Sequence, residues 1–147
     1  MKTTPSTFLT REEQAQIVNA IAAAELLTTG EVRVHLESRC KGDAIERATA
    51  LFHELIMDET LEHNAALIYI AYQSRHFAVV CDSGINAVIS PDSWKSVTDK
   101  LSASFALKDF CGGICRAIFI LGSKMARHFP FKAGDTNELP NDISFGE

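Results

Sequence analysis

The stretch Ala65-Ala-Leu-Ile-Tyr-Ile-Ala-Tyr72, then Gln73-Ser74, then Arg75-His-Phe-Ala-Val-Val-Cys81, decides the fold of this chain. Both apolar runs are of the kind that favours β-strands. Because only a short turn separates them, the two strands must be antiparallel neighbours. The sequence therefore predicts a β-hairpin whose first strand is buried.

A third strand is predicted upstream, where Glu31-Val-Arg-Val-His-Leu-Glu37 alternates apolar and polar residues. Residues 43–55 carry apolar side chains at helical spacing, and a strand-helix-strand connection makes its two strands parallel when they share a sheet. Further helices are predicted between Thr10 and Gly30, from Ser90 to about Phe105, and from about Asp109 to His128. The predicted fold class is α/β, with a small mixed β-sheet sandwiched between helical layers (α/β/α).

Length and composition predict one domain over residues 1–131 and a polar, acidic, mobile tail over residues 132–147. The chain has 147 residues, 46% of them hydrophobic, and a formal net charge of −5. This charge argues against nucleic-acid binding, and it favours cations or basic protein partners. No run approaches the roughly 20 apolar residues of a membrane span, and no secretory signal is evident. We therefore expect a cytoplasmic protein with four free cysteines.

The predicted topology gathers polar residues at one edge of the sheet. Parallel strands place Glu31 and Asn64 at the same edge, and the hairpin returns the chain to it at Asp82. Two carboxylates and an amide oxygen are ligands that Ca²⁺ or Mg²⁺ prefers. We therefore predict a divalent-cation site made by Glu31, Asn64 and Asp82. Around it we expect the following residues, with Gly84 turning carbonyl oxygens inward: Thr29, Gly30, His63, Ser83 and Gly84.

Two alternatives compete with this site. Glu31 and Asp82 can serve only to bond turn amides and helix ends, as acidic residues at element boundaries usually do. A ligand can also bind beyond the carboxyl ends of the parallel strands, as in open α/β sheets. That second location carries Arg39, Lys41 and Asp43, with Tyr72 and Arg75 opposite.

Motifs of known hydrolases are missing. Cys111-Gly-Gly-Ile-Cys-Arg116 is similar to a cysteine-phosphatase loop, but such loops place the arginine six positions after the cysteine, where Ala117 stands. The chain has no Gly-x-Ser-x-Gly elbow and no phosphate loop with Gly-Lys. The histidines show no zinc spacing, and only His63 falls near the predicted site. No catalytic residue is predicted from motifs.

Several segments in order resemble one known family. They are residues 24–35 (AELLTTGEVRVH), Thr60-Leu-Glu-His-Asn64, Leu67-Ile-Tyr-Ile70, Cys81-Asp-Ser-Gly-Ile-Asn86, Trp94, Phe129-Pro130 and Asn137-Glu-Leu-Pro140. Together they resemble the TPM domain family in its short, stand-alone bacterial form. The resemblance implies an α/β/α sandwich and divalent-cation binding. It also implies the acid-phosphatase activity proposed for plant chloroplast relatives, and the accessory roles of membrane-anchored relatives.

This chain departs from the family pattern at two places. His63-Asn64-Ala65 stands where relatives commonly read Arg-Asn-Gly, and Cys81-Asp82 stands where they read Gly-Asp. The missing arginine removes a good clamp for phosphate. The functional prediction is therefore a cation-binding module with a protein-interaction or accessory role. The alternatives are a metal-assisted phosphatase and an assembly protein whose edge residues are purely structural.

Overall fold

A computed structural model describes residues 3–146 of the chain. The helices are α1 (Arg11–Glu25), α2 (Ala44–Glu54), α3 (Ser83–Asn86), α4 (Lys95–Ala106) and α5 (Phe110–Ala126). The strands are β1 (Glu31–Glu37), β2 (Ala65–Ala71), β3 (His76–Cys81) and β4 (Ser144–Gly146). Short 3-10 turns lie at Pro5–Thr7, Met57–Glu59 and Pro91–Trp94.

The four strands form one mixed sheet in the order β3-β2-β1-β4. β1 is parallel to β2, with Glu31 opposite Ala65, and β2 is antiparallel to β3, with Ala66 opposite Cys81. This confirms both the parallel pair and the hairpin expected from the sequence. The sheet edge that holds Glu31 therefore also holds the start of β2 and the end of β3.

Alternation along β1 and β2 divides the core between the two faces of the sheet. Val32, Val34 and Leu36 point to one face, where α1, α4 and α5 pack. Leu67 and Tyr69 point to the other face, which is covered by α2. All seven residues of β2 are buried because helices cover both of its faces. The predicted α/β/α layering is thus confirmed.

The predicted mobile tail is wrong in part, because the chain after residue 131 returns to the sheet. Ser144–Gly146 pairs in parallel with His35, Leu36 and Glu37 of β1. Ile143 is buried in the main core, which explains why this polar segment docks despite its charge. β4 reaches only the second half of β1, so the first half of that edge has no neighbouring strand.

Candidate functional site

The first half of β1 is completed by side chains and a loop. On this side the amide of Val32 donates to the carboxylate of Glu25, at the end of α1, over 2.9 Å. The carboxylate of Glu31 accepts from the amides of Glu138 and Leu139, the latter over 3.2 Å. Both of these amides bond Oε1 of Glu31, which leaves Oε2 for a further contact. The open edge is thus closed by two acidic side chains rather than by backbone pairing.

Glu25 and Glu31 line the same cavity, and each carboxyl group affects the pKa of the other. Glu31 is only 3% exposed, and Glu25 is half-buried. Two carboxyl groups can share a hydrogen bond only when one of them carries a proton, so bringing this pair into contact would require a proton or a cation in its place.

The surroundings raise the pKa of both carboxyl groups. Burial raises the pKa of Glu25 to about 8, against the opposing bond from the Val32 amide, and the charges of Glu31 and Asp135 add to the rise. Burial likewise raises the pKa of Glu31, although its bonds to Glu138, Glu25 and Leu139 oppose the rise. A divalent cation would relieve this crowding of negative charge, because it neutralises both groups at once.

A cavity of about 180 Å³ opens beside the pair. Apart from Glu25 and Glu31, its polar lining comes from the segment that closes the β1 edge: Asp135, Asn137 and Asn141. The side-chain Nδ2 of Asn137 donates to Oδ1 of Asn141 over 3.1 Å. Within residues 3–146, no three carboxylate, thiol or imidazole groups come together as a metal cluster. An ion bound here would therefore use the two glutamates, amide oxygens of the loop, and water.

The structure places Asp82 at the same sheet edge as Glu31 but gives it separate partners. Its Oδ1 accepts from the amide of Ser83 over 2.8 Å, and Oδ2 lies 3.3 Å from Nδ1 of His63. Asp82 thereby caps the short helix α3. The start of β2 lies between Asp82 and Glu31, since Asp82 donates its amide to Ala65 on the far side of that strand.

The sequence predicts that Gly84 turns carbonyl oxygens inward, but the structure does not show this. It lies in α3 and donates its amide to the carbonyl of His63 over 2.8 Å. A Cβ at this position would fall 2.3 Å from the carbonyl oxygen of Glu62 and 2.6 Å from that of His63. Its small size, rather than its backbone freedom, lets α3 pack against this turn.

The side chain of Asn64 bonds Thr29 and Glu62, and not Glu31 or Asp82. Its Nδ2 donates to Oγ1 of Thr29 over 3.3 Å and to Oε2 of Glu62 over 3.2 Å. Its Oδ1 is buried and has no donor among residues 3–146. A Cβ at Gly30 would meet Met125 at 2.1 Å and the carbonyl oxygen of Asn64 at 3.0 Å. The set Glu31, Asn64 and Asp82 stays a prediction, and the contacts favour Glu31 with Glu25.

The competing location also exists as a cavity. About 490 Å³ of space lies beyond the carboxyl ends of β1 and β2, lined in part by Glu37, Ser38, Arg39 and Gln73. The carboxylate of Glu37 at its wall is already bonded by Arg47 and by the hydroxyl of Tyr69. The one acidic group there therefore has a cationic partner, whereas neither Glu25 nor Glu31 forms a salt bridge within residues 3–146.

Glu25 and the polar loop residues are not among the site residues predicted from the sequence. Glu25 is the final residue of α1. A negative charge at the C-terminal end of a helix interacts unfavourably with the helix dipole, which indicates that the side chain has another role. That unfavourable position was the available signal. Asp135, Asn137 and Asn141 were missed because their segment was assigned to a mobile tail.

Fold and site together define a three-layer α/β/α domain with a buried carboxyl pair at one edge of its sheet. The family model described as TPM domain matches residues 3–122. The chain belongs to the TPM domain family, which confirms the resemblance. A comparison with curated proteins gives no significant match.

Two solved structures are similar to this chain. The NMR structure of the BA42 protein from the psychrophilic bacterium Bizionia argentinensis has 42% sequence identity and a TM-score of 0.87, over 95% of this chain and 96% of that one. The N-terminal domain of the cg2496 protein from Corynebacterium glutamicum has 12% identity and a TM-score of 0.63, over 80% of this chain and 74% of that one. The second likeness shows the shared fold only. Among residues 3–146, no helix has the length and apolar character that crossing a membrane requires.

The raised pKa of Glu25 predicts how stability depends on pH without added cation. Its pKa of about 8 in the folded state lies above the ordinary value of 4.5, so the folded state binds more protons between these values and loses stability as pH rises through 8. In EDTA, from pH 7 to pH 8.5, we expect the protein to lose about 0.5 to 1 kcal/mol of unfolding free energy more than Glu25→Gln, allowing for solvent screening. Urea denaturation of both proteins at the two pH values measures the difference. An equal loss in the variant would show that Glu25 does not cause it.

Proposed function

We propose that this protein is a divalent-cation-binding module with an accessory, protein-interacting role. The observation that supports it most is the pair of Glu25 and Glu31, whose carboxyl groups have raised pKa values and line one cavity with further oxygen atoms that could bind an ion. Two carboxylates and several neutral oxygens suit Ca²⁺, which accepts irregular sets of six to eight oxygen ligands.

The bound ion would join two parts of the chain. Glu25 and Glu31 belong to α1 and β1, whereas Asn137 and Asn141 belong to the segment that leads into β4. An ion held between them would fasten this segment to the β1 edge. In this proposal the cation stabilises a surface rather than a reaction.

The contacts do not favour the phosphatase alternative. The residues that line the carboxyl-pair cavity include no hydroxyl, thiol, imidazole or guanidinium group: Ala22, Glu25, Leu26, Glu31, Phe131, Asp135, Asn137 and Asn141. They offer no hydroxyl or thiol nucleophile and no cationic side chain to clamp a phosphate. We therefore propose binding, and not phosphoester hydrolysis, as the function of this cavity.

Titration of the ¹⁵N-labelled protein with CaCl₂, and separately with MgCl₂, tests the proposal. We expect saturable amide shifts concentrated in residues 22–32 and 135–141. Shifts concentrated in residues 63–65 and 82–86 would instead support the set Glu31, Asn64 and Asp82. A protein whose spectrum does not change at millimolar CaCl₂ or MgCl₂ would refute cation binding altogether.

A further inference from the structure

The outer edge of β3 carries backbone groups that no other strand uses. β3 is the last strand of the sheet on its side. Asp82 donates its amide inward to Ala65 of β2, and because backbone groups alternate along an antiparallel strand, those of Phe77, Val79 and Cys81 point outward. The side-chain amide of Asn86 indeed bonds the carbonyl of Cys81 over 2.9 Å. At Phe77 and Val79 no such bond is made within residues 3–146.

A groove follows this edge between the two helical layers. Its volume is about 230 Å³, and Ala78 and Val79 of β3 line it. Ile45, at the start of α2 and 62% exposed, borders it on one face of the sheet. On the other face it is bordered by Trp94 and Thr98. A cavity that touches both helical layers at the same strand lies at the outer edge of that strand.

β3 also lacks the features that usually protect an edge strand. Its sequence, His76-Phe-Ala-Val-Val-Cys81, contains no proline, lysine or acidic residue, and its pairing with β2 is continuous without a bulge. Proteins commonly use such features to prevent pairing with other chains. Their absence here, in a strand of six residues, leaves the edge able to accept another strand.

We propose that β3 binds an extended peptide segment of a partner protein, which adds to the sheet as a fifth strand. The amides and carbonyls of Phe77 and Val79 would pair with the backbone of this segment, as in other cases of strand addition. Because side chains alternate across a strand, successive residues of the segment would face Ile45 and Trp94 in turn. The groove therefore suits β-branched or aliphatic residues on the Ile45 side of the added strand, whereas Asp92 and Lys95 share the lining with Trp94 on the other side. This inference deepens the accessory role proposed above and does not depend on the bound cation.

Selection from a phage-displayed library of random nine-residue peptides tests the inference. Phage that bind the wild-type protein are kept, and those that also bind the variant Val79→Pro are removed. Proline at this position removes an outward N–H but no bond to β2, so the sheet persists. We expect enriched sequences with β-branched or aliphatic residues, whose binding falls at least tenfold on Val79→Pro. Methylating alternate backbone nitrogens of the winning synthetic peptide should weaken its binding to the wild type to a similar extent.

Three measurements complete the test. Bound peptide should slow hydrogen exchange at the amides of Phe77 and Val79. Peptide affinity should be equal in CaCl₂ and in EDTA, so failure of the cation proposal would not affect this result. The inference is overturned if no sequence prefers wild type over Val79→Pro. It is also overturned if sedimentation shows that the wild type, but not the variant, dimerises, because the edge would then serve a second copy of the chain.

Discussion

Replacing Arg47 with methionine is expected to lower the free energy of unfolding at pH 7 by about 2 kcal/mol, between the values for exposed and for fully buried ion pairs. Arg47 donates through Nε and Nη2 to the two carboxylate oxygens of Glu37, over 3.1 and 3.0 Å. The Glu37 side chain is only 9% exposed, whereas that of Arg47 is 36% exposed. Methionine preserves much of the aliphatic contact of Arg47 but leaves the charge of Glu37 without its main partner.

The loss of unfolding free energy in Arg47→Met should depend on pH. Burial by itself would raise the pKa of Glu37, but the hydrogen bonds from Arg47 and Tyr69 outweigh it and hold the pKa below its ordinary value. A lowered pKa stabilises the folded state above about pH 4.5, and this stabilisation is lost as pH falls through the folded-state value. The difference between wild type and Arg47→Met should therefore shrink below pH 4. Urea denaturation at pH 7 and pH 3.5 measures it.

Arg39→Met is the matched control for this prediction. Arg39 is exposed, and no carboxylate within residues 3–146 forms a salt bridge with it. Its replacement should change the unfolding free energy by less than about 0.5 kcal/mol. If both variants lose the same amount, the charge of Glu37 is not what Arg47 stabilises.

Replacing Glu31 with glutamine is expected to weaken Ca²⁺ binding about a hundredfold, or about 2.7 kcal/mol. Glutamine retains a carbonyl oxygen that can accept the amides of Glu138 and Leu139, so the loop should stay in place. What the variant removes is one of the two negative charges. Glu25→Gln should have a similar effect, since its oxygen can still accept the amide of Val32.

Asp82→Asn is the matched control for the cation site. It removes a charge at the same sheet edge while keeping an oxygen that can accept the Ser83 amide. Isothermal titration calorimetry of the three variants should give a wild-type affinity for Asp82→Asn only. A hundredfold loss in Asp82→Asn, with Glu25→Gln unaffected, would restore the ligand set expected from the sequence.

Local patterns were sufficient to predict most of the fold. The alternation in residues 31–37 and the short turn at Gln73-Ser74 specify three strands and their relative directions, because side-chain period and connection length depend on neighbouring residues alone. β4 was not predictable in this way. Ser144–Gly146 has only three residues and pairs with a strand more than 100 positions earlier, so it depends on burial of Ile143 and not on strand propensity.

The site was only partly predictable for the same reason. Topology correctly brought Glu31, Asn64 and Asp82 to one edge, since strand direction determines where strand ends lie. It did not determine their partners, because each side chain bonds the loop or helix nearest to it. Glu25 reaches Glu31 only because β4 stops short and leaves the amide of Val32 to be bonded by a side chain.

A crystal structure of the protein grown with CaCl₂ would show whether Glu25 and Glu31 bind the ion together. We expect an anomalous-scattering peak between Glu25 and Glu31, with oxygen atoms of both residues about 2.3 to 2.6 Å from the ion. Amide oxygens from the 135–141 segment should complete the set together with water. A crystal in which the ion binds at Asp82, or in which no ion lies between Glu25 and Glu31, would contradict it.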